Sequence, residues 1–328
     1  MLGSLAAQTI YVAAKLGIAD LLADGPKSVE ELAAATNTHA PSLYRILRAA
    51  ASLNVFSEQE NRVFALNPNA QPLLSDAPNS LRDIAIFMGE DWHWEVWGKT
   101  LYSVQTGKSA WAQMHGDDVF GYFGMNPGAA GIFNRAMSSL TALATKAVVE
   151  GYDFNGINTL IDIAGGHGRL LTDVMEANPN MRGVLFDLPH VIEGARENVA
   201  KSKAADRIEF ISGDFFKSVP AGGDAYMMRH IIHDWDDERA LTILQNIKRV
   251  MNPKGRVLLV ESVIAEGNDQ DFGKLMDIEM LVSPGGKERT ATEYAELLER
   301  AGLRLTRIVP TRSAYSVLEA VNADYTDS

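Results

Sequence analysis

Beyond residue 158, short apolar runs alternate with stretches whose apolar positions recur at helical spacing. Strands are predicted over 159–163, 183–186, 208–211, 225–232 and 256–264, with helices over about 169–177, 191–200, 237–251 and 292–301. Such alternation predicts a mostly parallel sheet with helical crossovers. The last two runs, 303–310 and 313–320, are separated by a tight turn and are expected to be antiparallel to each other.

Upstream the pattern is helical. Apolar residues recur from Leu5 to Leu22 and stop at Asp24-Gly25-Pro26, which predicts one long helix. Ser28 and Glu31, three apart, form a capping box that opens a short helix. Pro41 to Leu53 gives another helix, and Val55-Phe56 with Val63 to Leu66 flank a polar turn and predict a hairpin. Helix, helix, hairpin is a winged-helix pattern. Lys27, Arg45, Arg48 and Arg62 are balanced there by Glu30, Glu31, Glu58 and Glu60, so the segment lacks the clustered positive charge a DNA reader needs. A structural or dimerising domain over 1–100 is expected, followed by a sheet domain over 101–328. Between them, Trp92, Trp94, Trp97, Tyr102, Trp111, Phe120 and Tyr122 indicate helical connection and pocket wall, and Phe133, Met137 and Leu140 extend the helical spacing to about Gly151.

Composition narrows the function. The chain has 328 residues, 46% of them hydrophobic, and its 30 basic against 42 acidic residues give a net charge of −12. That balance argues against nucleic acid or an anionic membrane as main partner and favours a small molecule. With no cysteine there is no disulfide, thiolate nucleophile or cysteine zinc site; no run is long and apolar enough to span a bilayer. Met1 to Leu22 lacks the basic start of a signal peptide, so a cytoplasmic location is expected.

The candidate chemistry sits at the strand ends. The first strand runs through Asp162 into Ala164-Gly165-Gly166-His167-Gly168, a glycine-rich turn opening a helix, where open α/β sheets bind nucleotide-like ligands. The frame Gly166-x-Gly168-x-x-Leu171 lacks the third glycine of a dinucleotide fingerprint. Asp162 would repel a pyrophosphate but attract the ammonium and sulfonium of S-adenosylmethionine. Asp187 ends the second strand, where a carboxylate meets ribose hydroxyls, unless it caps the next helix. Asp214 and Phe215 end the third, suited to an adenine amine and ring. His233 follows the fourth at its carboxyl end, placed to remove a proton, and Glu261 or Glu288 could fix its tautomer. His230, three residues before, is expected to point to the opposite face, which argues against a two-histidine metal site. Asp236 and Asp237 are expected to cap the following helix. An NAD-linked oxidoreductase and a winged-helix small-molecule sensor remain open on these residues alone.

Taken together, Asp162 to Gly168, Phe186-Asp187-Leu188-Pro189-His190-Val191-Ile192, Gly213-Asp214-Phe215-Phe216, His233-Asp234-Trp235 and Gly285-Gly286-Lys287-Glu288-Arg289-Thr290 resemble small-molecule O-methyltransferases of the caffeic acid and acetylserotonin type. The resemblance implies a class I, Rossmann-like methyltransferase domain with an antiparallel C-terminal strand, a helix-swapped homodimer, and S-adenosylmethionine leaving as S-adenosylhomocysteine. It assigns cofactor contacts to Asp162, Gly165, Gly166, Asp187, Leu188, Asp214, Phe215 and Arg229. His233 becomes the general base flanked by Glu261 and Glu288, acting on a small aromatic hydroxyl compound without metal, and Phe133, Met137 and Met280 would line the acceptor pocket. Two letters depart from the family pattern: Ala164 replaces a glycine and Arg229 a lysine.

Overall fold

The computed structural model describes residues 2–325, apart from the side chains of 141–143. The chain divides into two compact units, residues 1–100 with 117–142 and residues 101–116 with 143–328.

In the first unit the expected long helix is two, Gly3–Lys15 and Ile18–Leu21, because Gly17 between them takes a left-handed conformation with φ of 66°. The predicted capping box forms: Ser28 Oγ accepts from the Glu31 amide and Glu31 Oε2 from the Ser28 amide, opening the helix Val29–Thr36. The helix Ala40–Ser52 follows. Three short strands, β1 (Lys27–Ser28), β2 (Ser57–Gln59) and β3 (Val63–Ala65), pair antiparallel in the order β1-β3-β2. Val55 and Phe56 therefore precede the hairpin rather than belong to it, and Phe56 is buried with Leu32, Leu47 and Phe64. The aromatic-rich stretch forms short helices, among them Arg82–Gly89, Asp91–Trp97 and Val119–Met125 in this unit. Phe133, on the helix Pro127–Gly151, stacks on Phe123 at 4.6 Å and meets Phe87 edge-on at 5.7 Å.

The second unit is built on seven strands: β4 (Thr159–Ile163), β5 (Arg182–Asp187), β6 (Ile208–Ser212), β7 (Ala225–Arg229), β8 (Arg256–Glu261), β9 (Leu303–Pro310) and β10 (Ser316–Asn322). Their order is β6-β5-β4-β7-β8-β10-β9. The first five are mutually parallel, and β10 lies antiparallel between β8 and β9. The chain runs outward from β4 through β5 to β6, then returns to β7 on the other side of β4. That reversal creates a crevice at the strands' carboxyl ends, the usual ligand site of such sheets. The central strands carry near-continuous apolar runs because helices cover both faces, and two apolar clusters flank the sheet. Two strands end three residues earlier than expected, at Arg229 and Glu261, and the helix Phe272–Val282 was not foreseen. His230, with φ of 53°, leaves the extended conformation and stops β7.

Candidate active site

The glycine turn after β4 surrounds a buried carboxylate. Asp162 is 2% exposed, and its Oδ2 has no hydrogen-bond partner among the described residues. Burial raises its pKa to about 7, against the pull of Arg229 and with a further push from Asp187. A Cβ on Gly165 would lie 2.5 Å from that Oδ2 and 2.4 Å from Leu185, so only glycine lets the turn approach. Ala164 takes φ of 53° and donates its amide to the Phe186 carbonyl at 2.8 Å.

Asp187 does not cap the next helix. Leu188 holds that position, and Asp187 Oδ2 accepts the Gly166 amide at 2.9 Å while Oδ1 accepts the Leu188 amide at 2.7 Å. Its carboxylate thus lies against the glycine turn, half-buried and with its pKa raised by burial. Asp214 accepts the Phe216 amide at 2.9 Å, and the Phe215 ring packs beside Phe216 at 4.8 Å and Trp235 at 6.2 Å. Arg229, at the end of β7, donates to Thr145 Oγ1 at 3.3 Å. An orphaned buried carboxylate oxygen, a turn that only glycine can make and a second carboxylate on its amide fit a cationic adenosyl ligand. They suit a pyrophosphate poorly.

His233 lies in a tight helical turn, Ile232–Asp234, beyond the strand end where it was expected. Its Nδ1 is 2.8 Å from Glu288 Oε1 and 3.8 Å from Glu261 Oε2; Nε2 is 3.5 Å from Asp234 Oδ1. Burial alone would lower its pKa, but Glu261, Asp234 and Glu288 overcome that and raise it to about 10. Glu261, fully buried at the end of β8, is raised to about 7 by burial against the opposing effect of His233. Its Oε1 accepts the amides of Ile231 and Ile232 at 3.1 and 2.9 Å, so the turn that carries the histidine also holds its carboxylate.

Glu288 arrives on a loop whose backbone is tied to the same turn. A Cβ on Gly286 would lie 2.0 Å from the His233 carbonyl, and the Lys287 amide donates to that carbonyl at 2.9 Å. Arg289, fully buried, donates to Asp237 Oδ1 at 2.8 Å and to the carbonyls of Ile232, Trp235 and Lys287 at 3.0–3.2 Å. Thr290 and Glu293 form a capping box that begins the next helix. The expected N-cap forms at Asp236, whereas Asp237 serves mainly as partner to Arg289.

One expectation fails here. His230 and His233 do not point apart: their rings stack with centroids 5.4 Å apart and 29° between planes. Strand alternation does not apply, since His230 is left-handed and the following residues form a helical turn. The residues with metal-ligand chemistry that converge are His233, Glu261 and Glu288, each offering an atom within 4.8 Å of the others, and His230 is not among them. Gly286, Arg289, Asp234 and Tyr315 were not singled out from sequence as individual contributors. The first three lay inside quoted motifs, and for Gly286 and Arg289 a doubled glycine before a charged triplet was the available signal. Phe133 and Met137 belong to the first unit and Met280, buried on Phe272–Val282, to the second.

Residues 97–304 match an O-methyltransferase domain and residues 1–76 an O-methyltransferase dimerisation domain. A phenazine O-methyltransferase of Lysobacter antibioticus is 45% identical over 313 residues, 95% of this chain and 92% of that protein. The mitomycin 7-O-methyltransferase structure superposes with a TM-score of 0.91 at 36% identity, covering 98% of this chain and 95% of that one. Human N-acetylserotonin methyltransferase in complex with S-adenosylmethionine gives a TM-score of 0.88 at 26% identity, covering 98% and 95%. The chain belongs to the S-adenosylmethionine-dependent O-methyltransferase family.

Proposed function

We propose that the chain methylates a hydroxyl on a planar, fused-ring or substituted aromatic compound, with His233 as general base. The observation that carries this reading is the Glu288–His233 hydrogen bond of 2.8 Å, with Glu261 held beside it, at the same sheet edge as Asp162. When bound, S-adenosylmethionine supplies an electrophilic methyl group and is released as S-adenosylhomocysteine. Asp162 faces the cofactor's positive charge, Gly165, Gly166 and Leu188 give it room and backbone contact, Asp187 takes the ribose, Asp214 and Phe215 the adenine, and Arg229 the place of the family's lysine. Phe133, Met137 and Met280 are proposed as acceptor contacts. The dimerisation segment supports a homodimer, and the absence of cysteine suits the cytoplasm.

Nδ1–H donates to Glu288 and leaves Nε2 as the proton acceptor. A phenol near pKa of about 10 matches a base raised to about 10, so the proton moves between them at little cost. The raised pKa also means that the free ring holds a proton at neutral pH. Activity should therefore rise with pH to a limb above the ordinary imidazole value, and Glu288→Gln, which removes a raising partner, should move the limb down. The Nδ1 hydrogen bond occupies the site that metal ligation would need, so activity should survive excess EDTA; its loss would point to a metal at the His233, Glu261, Glu288 cluster instead.

The test is methyl transfer from labelled S-adenosylmethionine to hydroxylated phenazines, naphthoic acids and aminohydroxybenzoates. His233→Ala should lose at least about 10²-fold in kcat and keep S-adenosylhomocysteine affinity by calorimetry. Transfer by that variant at near wild-type rate would overturn the base.

A further inference from the structure

We propose that His230 is a positioning residue for His233, holding the plane of the base through its ring; this rests on His233 being the base. Among the described residues His230 is one of six non-glycine residues with positive φ, at 53°, a conformation that L-residues rarely adopt. What the strained turn achieves is visible around it. It directs the next two amides, Ile231 and Ile232, onto Glu261 Oε1. It also folds the chain back so that the His233 ring lies against the His230 ring at 5.4 Å and 29°, while the Tyr315 ring meets His230 at 4.1 Å.

The contact with His233 is made through the face of the ring. His230 Nε2 is buried with no hydrogen-bond partner among the described residues, so it supplies no polar link to the fold there. Burial, helped by His233 and Arg229, keeps its pKa well below the ordinary imidazole value. A neutral ring beside a proton-carrying one adds no repulsion and excludes water that would screen the carboxylates. The charged and titratable groups around the pair are Arg229 on the same segment, Asp234 in the turn, Glu261 on β8, Glu288 on the adjoining loop and Tyr315 before β10. With its plane fixed, the His233 ring keeps Nδ1 on Glu288 and Nε2 available for a proton.

His230→Asn removes the ring but keeps a residue that tolerates positive φ; His230→Phe restores an aromatic face without nitrogens. His230→Asn should lower kcat about 10- to 100-fold, with the KM of a hydroxylated phenazine or naphthoic acid and the Kd of S-adenosylhomocysteine changed less than about threefold. His230→Phe should recover most of that loss. In parallel, the His233 ring is titrated by NMR, its signal assigned by difference from His233→Ala. Its midpoint should fall towards the ordinary imidazole value in His230→Asn and stay raised in His230→Phe. The proposal is overturned if His230→Asn keeps wild-type kcat and titration, or if His230→Phe is as slow and as shifted as the Asn variant. Should the Asn variant melt too low to assay, the Phe titration alone decides: a midpoint that stays raised supports the stack, and one at the ordinary imidazole value overturns it. If wild-type protein transfers no methyl group to any probe, the functional reading fails, while the titration still tests the stack.

Discussion

A carboxylate at 2% exposure with an oxygen that meets no hydrogen-bond donor among the described residues is expensive to ionise, and Asp162 with its pKa raised to about 7 reflects that. The native state therefore binds a proton that the unfolded chain releases near pH 4. This carboxyl's contribution to stability is fully present below about pH 4 and is lost as pH rises through about 7. Cofactor binding has the opposite sign, because the ligand's positive charge wants the anion. S-Adenosylhomocysteine affinity should fall up to about tenfold per pH unit below about 7, with proton release on binding seen by calorimetry in two buffers. Asp162→Asn should bind weakly and without that slope; a slope unchanged in the variant would assign the titration to another group. Ala164 makes a different case. Its φ of 53° needs no glycine but is strained, so Ala164→Gly should raise thermal stability, by an amount on the order of 1 kcal/mol offset in part by glycine's greater unfolded-state entropy, and leave methyl transfer intact. A melting temperature that drops would show that the backbone there is relaxed.

Elements bring the base and its carboxylates together through one clamp. Arg289 joins the loop carrying Glu288 to the turn carrying His233 with bonds to three carbonyls and Asp237. Removing it leaves buried acceptors unpaired, and Arg289→Met should destabilise the protein by roughly 3–5 kcal/mol in denaturant melts. Gly286→Ala, whose Cβ would meet the His233 carbonyl at 2.0 Å, should abolish activity through displacement of Glu288 while cofactor affinity at the glycine turn persists. Equal loss of both would mean that the two sites share one collapse. None of this closeness shows in spacing, since Glu288 is fifty-five positions from His233 and meets it only through the strand order. What was legible obeyed local rules: β4 and the helix Arg169–Ala177 have the boundaries expected of them, and the capping box at Ser28 forms. Local rules misled where one residue left its element's conformation. Gly17 split a helix with an unbroken apolar period, and His230 ended a strand and turned a partner expected on the opposite face into a stacked neighbour.

The whole molecule carries a net charge of −12, so two copies repel each other and their association must rest on apolar contact. The dimerisation segment, residues 1–76, holds a suitable pair: Leu2 and Leu5 are 74% and 65% exposed, three positions apart on one face at the start of the first helix. Neither belongs to the core of the first unit, so changing them should leave that unit's packing alone. Burying one such leucine contributes about 2 kcal/mol, and a two-fold symmetric dimer counts each substitution twice. Leu5→Asp should therefore weaken self-association by about 10²- to 10³-fold in sedimentation equilibrium, with unfolding of the isolated protomer unchanged. Salt offers an independent handle, because screening relieves the repulsion between acidic copies: the wild-type dimer should tighten from about 10 mM to 150 mM ionic strength. A Leu5→Asp protein that sediments as wild type would remove the first helix from the contact and leave the exposed Leu101, Val104, Phe272 and Leu275 of the second unit as the surface to vary next.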